Sequence, residues 1–249
     1  AGSKDGMMRD ASDKTLVAKA TKTLKGPNAT HTALKSTKLV PVPDPLLVSR
    51  DFFTHISESH LALSGTAQKE SFIRIVLPLI LASNEEISKR REAINRAFEY
   101  GDRSTLEKWA KLYKIDVTDR DNKALVMRLL ERADTIPVAL ALAQAAVESG
   151  WGTSRFAIQG NALFGQWAWR DHAGIRPLDA SNDRAVVRSF ASLLGSVRAY
   201  MHNLNTHSHY QKFRKARSAL RNRPKVGEAK ILAKYLDRYA EIGHVYVNK

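Results

Sequence analysis

The stretch Val138-Ala139-Leu140-Ala141-Leu142-Ala143-Gln144-Ala145-Ala146-Val147-Glu148-Ser149-Gly150-Trp151-Gly152 decides the reading of this chain. Its first ten residues are apolar but for one glutamine. Pro137 suits a first helical turn, and Asp134 or Thr135 can cap it. A helix apolar on nearly every side belongs in the middle of a domain. The two glycines then force a turn, which leaves Glu148 as a carboxyl at the end of a buried helix. Such a carboxyl loses hydration, so its charged form is disfavoured and its pKa is expected to rise. The negative end of the helix dipole acts in the same direction. An acid that keeps its proton near neutral pH is what cleavage of a glycosidic bond requires, because the leaving oxygen must be protonated. The bland alternative is a glutamate exposed where the helix frays, or one tied to Arg132 or Arg155.

Downstream, Asn161-Ala162-Leu163-Phe164-Gly165-Gln166-Trp167 follows within one short loop. Residues 175–178 and 185–190 read as a small β-hairpin around a polar turn, residues 179–183. Ser192 can cap a helix carrying Leu193, Val197, Tyr200, Met201 and Leu204, and a last helix runs from about Gly227 to Tyr239. Upstream, the apolar run of residues 72–82 reads as a buried helix. Ser83-Asn84-Glu85-Glu86 and Ser104-Thr105-Leu106-Glu107 both have the form of a capping box, so each is expected to open a helix. Leu125, Leu129 and Leu130 form part of another apolar stripe. Residues 1–65 read as a basic, flexible arm or linker, with nine basic and four acidic residues in the first fifty and the Pro41-Val42-Pro43-Asp44-Pro45 stretch. Residues 66–125 read as a helical extension and residues 126–249 as the catalytic domain.

The 249 residues are 43% apolar, enough for one medium domain with extensions or two small ones. No run of about 18 apolar residues spans a membrane. The absence of cysteine excludes disulfides, thiolate metal sites and a cysteine nucleophile. The formal net charge of +15 points to polyanionic surroundings: nucleic acid, anionic lipid or an anionic wall. Residues 212–225 hold seven Lys or Arg and no acid, and read equally as a solvated helix face or a binding surface. His202, His207 and His209 lack the spacing of a zinc set and favour capping and surface hydrogen bonds, so neither metal nor cofactor is expected.

The segment Ala-x-x-Glu148-Ser149-Gly150-Trp151-Gly152-x-Ser154, followed by Asn161-x-Leu163-Phe164-Gly165, resembles the β-N-acetylglucosaminidases of glycoside hydrolase family 73, and more closely their Bax-type branch. Leu77-Pro78 with Asn84 and Arg90, Asn203-Leu204-Asn205-Thr206-His207, and Tyr239-Ala240-Glu241-Ile242-Gly243-x-x-Tyr246-Val247 add to the likeness, which covers roughly residues 66–249. The resemblance implies a mainly α, lysozyme-like helical domain with a small β-hairpin beside a groove for alternating N-acetylglucosamine and N-acetylmuramic acid. It places the family's catalytic acid on Glu148 and its active-site tyrosine on Tyr239, although the stretch after Tyr239 is one residue longer here than in the family motif. Tyr239 as a core-facing aromatic is the alternative.

Trp151, Phe164 and Trp167 are candidates for stacking on sugar rings, Asn161 and Gln166 for bonding N-acetyl groups, and Glu241 for steadying charge or orienting water. Trp151 reads equally as a core plug. A glutamate on the hairpin, common in the family, is missing; Asp171 and Asp179 are the weak candidates for a second carboxylate. Attack by the substrate's own acetamido group would remove the need for one. The expected partner is then the glycan of peptidoglycan, met outside the cytoplasm in the periplasm or envelope by a monomer, with no role for nucleic acid. A lytic transglycosylase or muramidase, and a non-catalytic wall- or polyanion-binding module, are the competing readings.

Overall fold

The computed structural model describes residues 48, 50–118, 121–169, 174–176, 185–221 and 227–236. Tyr239, Glu241, Asp171 and Asp179 lie outside the described residues, as does most of the basic arm. The described part is mainly α, with one small antiparallel sheet, the lysozyme-like architecture expected from the resemblance.

Its spine is α2 (Gly65–Glu99), which follows a single-turn α1 (Glu58–Leu61). Phe72, Ile75, Val76, Leu79, Ile80 and Ile87 recur at helical spacing and are buried. They pack against α5 (Val138–Ser149) and α7 (Leu193–Thr206), whose Leu140, Ala141, Ala145, Val197, Tyr200 and Leu204 complete the main core. Further along α2, Ile94 and Ala97 enter a second core with α3 (Arg103–Leu112) and α4 (Asn122–Arg132).

Two of the expected helix starts are displaced. Ser83 opens no helix, because it lies inside α2 at a buried position of the same apolar stripe, 2% exposed. Its neighbour Asn84 instead clamps the chain ahead of α5, donating to the Ile136 carbonyl at 2.8 Å and accepting from the Ile136 amide at 2.9 Å. At α3 the cap is Asp102, which accepts from the Thr105 amide at 3.0 Å, rather than Ser104. Pro137 stands at the cap position of α5 rather than within its first turn. Asp134 does not cap; it is buried and ion-paired with Arg217 and Arg221. Ser192 caps α7 as expected, accepting from the Gly195 amide at 3.2 Å.

The basic block resolves into two populations on α8 (Gln211–Leu220), which follows a 3-10 turn (Ser208–Tyr210). Lys212 and Lys215 face solvent, whereas Arg214 and Arg217 are 2% and 1% exposed. Both are spent on backbone carbonyls that a helix leaves unpaired at its C-terminus. Arg217 donates to the carbonyls of Glu131 (3.0 Å) and Asp134 (3.1 Å) and to Asn205 Oδ1 (2.7 Å). Arg214 donates to those of Leu204 (3.0 Å) and His207 (2.8 Å). Burial pushes the Arg217 guanidinium down to about 9, with the Arg214 and Arg91 charges adding to it. These cations hold the ends of α4 and α7 together and are not available to a ligand.

The sheet has three strands in the order β1-β3-β2: β1 (Trp167–Trp169), β2 (Gly174–Ile175) and β3 (Ala185–Arg188), all pairs antiparallel, with Trp167 opposite Val187 and Gly174 opposite Arg188. The β2–β3 pairing is the expected hairpin. The added strand is the segment of Trp167 and Trp169, which reads as loop because three residues are too few to display alternation. A last described helix, α9 (Glu228–Ala233), packs against α5.

Candidate active site

Glu148 sits in the last turn of α5, half-buried. The helix is not enclosed on every side: Val147, next to it, is 79% exposed, so the carboxyl stands where a buried helix meets solvent. The turn after it is rigidly specified. Gly150, Trp151 and Gly152 all adopt positive φ, at 57°, 56° and 82°. The buried Ser149 hydroxyl donates to the Ala145 carbonyl (2.6 Å) and accepts from the Gly152 amide (2.9 Å). The amides of Trp151 and Ser154 donate back to Ala146 and Ser149 at 2.8 and 2.9 Å, and Ser154 caps α6 (Arg155–Gly160). Gly152 is required twice over. Besides its φ, a Cβ there would lie 3.1 Å from both Ile56 and Phe72 side chains and 3.2 Å from His60 Nε2.

His60 is fully buried beneath this turn. Its Nε2 lies 2.9 Å from the Trp151 carbonyl and its Nδ1 3.0 Å from Ser71 Oγ, tying α1 and α2 to the glutamate loop. His55 meets Asn161 Oδ1 at 3.1 Å, and the Leu193 amide donates to the Thr54 carbonyl at 3.0 Å. Residues 54–60, which composition assigned to the arm, therefore belong to the folded body. Nothing in a short polar stretch with two histidines announces that role.

Opposite the turn, Gly165 (φ 56°) brings its backbone under the carboxyl: a Cβ there would stand 3.6 Å from Glu148 Oε2. The wall behind is aromatic. Phe164, 1% exposed, stacks flat on Tyr200 with ring centres 3.9 Å apart, and the Tyr200 hydroxyl donates to Gln144 Oε1, one turn before Glu148 on α5. Burial pushes the Tyr200 hydroxyl well up, with the charges of Tyr210 and Glu148 adding to it. Burial likewise pushes Tyr210 up to about 12, the Glu148 charge again contributing. The glutamate thus faces two phenols that stay neutral across the physiological range. Tyr200 was legible as a core position of α7; Tyr210 and Gln144 carried no signal in the sequence.

The other candidates separate by burial. Phe164 is part of the wall and offers no exposed face. Asn161, 4% exposed, ends α6 in the left-handed conformation and spends its amide on the Phe190 carbonyl (2.9 Å) and His55. Trp151 is half-buried, edge-on to Phe72 at 5.7 Å with Lys69 5.4 Å above its ring. Gln166 and Trp167 are both partly exposed at the start of β1. Gln166 Oε1 has no hydrogen-bond partner. Neither arginine named as a partner for Glu148 is turned to it: Arg132 donates to the Tyr113, Lys114 and Thr206 carbonyls, and Arg155 to that of Arg176. His207 caps the turn before α8, accepting from the His209 amide at 3.3 Å. Among the described residues no His, Asp or Glu cluster could hold a metal, and no helix is long and apolar enough to cross a membrane.

Residues 123–242 match the glucosaminidase family model, described as mannosyl-glycoprotein endo-beta-N-acetylglucosaminidase. The chain is 35% identical over 190 residues to Protein bax of Escherichia coli (strain K12), covering 74% of this chain and 68% of that protein. No solved structure gives a significant match. The chain belongs to the glucosaminidase family of glycoside hydrolases.

Proposed function

From that membership we propose that this chain hydrolyses the β-1,4 bond after N-acetylglucosamine in peptidoglycan strands, with Glu148 as the general acid. The observation that carries the reading is the placement of Glu148: a half-buried carboxyl at the open end of α5, with backbone rather than side chain at Gly165 beneath it. A glycan oxygen can approach there, and Glu148 is the group we assign to meet it with a proton. Glu148 then gives its proton to the departing sugar oxygen, and the oxocarbenium-like centre is met by water or by the substrate's own acetamido oxygen. Tyr239 and Glu241 are the groups we assign to steady that centre, with Asp171 and Asp179 as second-carboxylate candidates. Trp167, which opens β1, and Gln166 just before it are the groups we assign to the sugar rings. The periplasm or envelope is the location we assign, where exposed lysines such as Lys212 and Lys215 would help retain the chain at an anionic wall.

The test is Glu148→Gln, which keeps shape and removes the transferable proton. Lysis of purified peptidoglycan should fall about 10²–10⁴-fold with wall binding retained. A variant with full activity would end the proposal. Product analysis identifies the bond: a reducing-end N-acetylglucosamine is expected, whereas an anhydromuramic end would assign a lytic transglycosylase.

A further inference from the structure

Gln144 is the one polar residue in the first ten of α5, and it stands one turn before Glu148 on the same side of the helix. Its Oε1 accepts the hydroxyl of Tyr200, a fully buried residue of α7. The two helices are each packed on α2, so this bond ties them to one another directly.

The ring of Tyr200 holds the loop that passes under the carboxyl. It lies flat on Phe164, with ring centres 3.9 Å apart and planes 4° from parallel, and Gly165 comes next in the chain. One turn earlier on α7, the hydroxyl of the buried Ser196 accepts from the Leu163 amide at 3.1 Å. The helix thus grips the loop at two consecutive residues, and Tyr200 also reaches across to α5. Packing by itself does not account for the hydroxyl. A phenylalanine would fill the stack equally well, and a buried O–H costs free energy unless it is bonded. What the hydroxyl adds is direction, since apolar contact is indifferent to orientation whereas a hydrogen bond is confined to a narrow range of distance and angle.

We propose that Tyr200 is a positioning residue, which sets the gap between the Glu148 carboxyl and the Gly165 backbone where the glycosidic oxygen must enter. Its hydroxyl fixes the turn of α5 that precedes Glu148, and its ring fixes the residue that precedes Gly165. A Cβ on Gly165 would lie 3.6 Å from Glu148 Oε2, so a shift at either anchor alters the gap itself. Misplacing a reacting group by about 1 Å can cost on the order of 10²-fold in rate. Tyr200 is enclosed in the core and acts through Gln144 and Phe164. The role rests on Glu148 being the general acid.

The experiment measures kcat and KM of the full chain on soluble glycan strands sonicated from purified peptidoglycan, with the melting temperature of each variant. Tyr200→Phe keeps the stack and removes the bond, so kcat should fall about tenfold or more while KM stays within about twofold of the parent. Tyr200→Phe/Gln144→Met removes both partners and leaves neither unpaired, so its melting temperature should return toward the parent's. Its kcat should stay low, because the tie that sets the gap is still missing. A parental kcat in Tyr200→Phe, or a kcat that returns with the melting temperature in the double variant, would reduce Tyr200 to packing and overturn the proposal. Glu148→Gln, run alongside, separates the two readings. If it is inactive while Tyr200→Phe is fully active, only the positioning role falls. If it is as active as the parent, or the parent releases no reducing-end sugar, the general-acid reading falls and takes the positioning role with it.

Discussion

Replacing Arg217 with alanine is expected to destabilise the chain by about 3–5 kcal/mol, the cost of breaking a buried charge network by removing one partner. The figure follows from what the guanidinium serves. Its loss leaves the Glu131 carbonyl and Asn205 Oδ1 without this donor in the interior, each worth about 1–3 kcal/mol. The Asp134 carbonyl keeps a donor in Asn205, and the Asp134 carboxylate keeps Arg221, so neither is orphaned. The vacated stem adds a cavity term. Against these losses stands relief from burying a cation, whose cost is visible in the fall of Arg217 to about 9. Urea unfolding of the full chain measures the balance. Lys215→Ala, on the exposed side of the same helix, should stay within about 0.5 kcal/mol of the parent. Arg217→Met fills the space without meeting the acceptors and should recover only part of the loss. If Arg217→Ala unfolded like the parent and merely bound polyanions less well, the assignment of this arginine to the interior would be refuted.

Gly152→Ala should cost about 2–5 kcal/mol, from a left-handed backbone without glycine and a methyl placed among Ile56, Phe72 and His60; a thermal melt unchanged from the parent would contradict the tight turn. Gly165→Val should abolish lysis while sparing wall binding, because a branched side chain would stand over Glu148 Oε2; full lytic activity would show that substrate does not pass there. Tyr210 has a folded value raised from 10.0 to about 12, so its contribution to stability is complete below pH 10 and is lost as pH rises through 12. Alkaline titration of tyrosinate absorbance should show late-ionising phenols, one fewer in Tyr210→Phe with that of Tyr200 remaining, and the Tyr210 phenol ionising near 10 would refute its burial.

How much was legible depended on how local the signal was. The α5 helix, the glycine turn after Glu148, the Ser192 cap and the α7 stripe follow from spacing and backbone chemistry within a few residues. The Ser-x-x-Glu patterns misled because capping chemistry is local, whereas the apolar stripe that carries α2 straight through Ser83 is set by packing on α5 and α7. Likewise Phe164 and Asn161 belong to a motif, but burial of one against Tyr200 and of the other against Phe190 and His55 could be decided only by distant segments.

The amino-acid order alone determined that the chain is helical, that a carboxyl ends its most apolar helix, and that glycines turn the backbone there. Tertiary structure alone decided that Arg214 and Arg217 lie inside while their lysine neighbours do not, that His60 braces the glutamate turn, and that Tyr200 and Tyr210 face its charge. The reason is physical: backbone propensity acts over one or two turns, but whether a polar side chain is hydrated or buried depends on acceptors brought to it from remote parts of the chain.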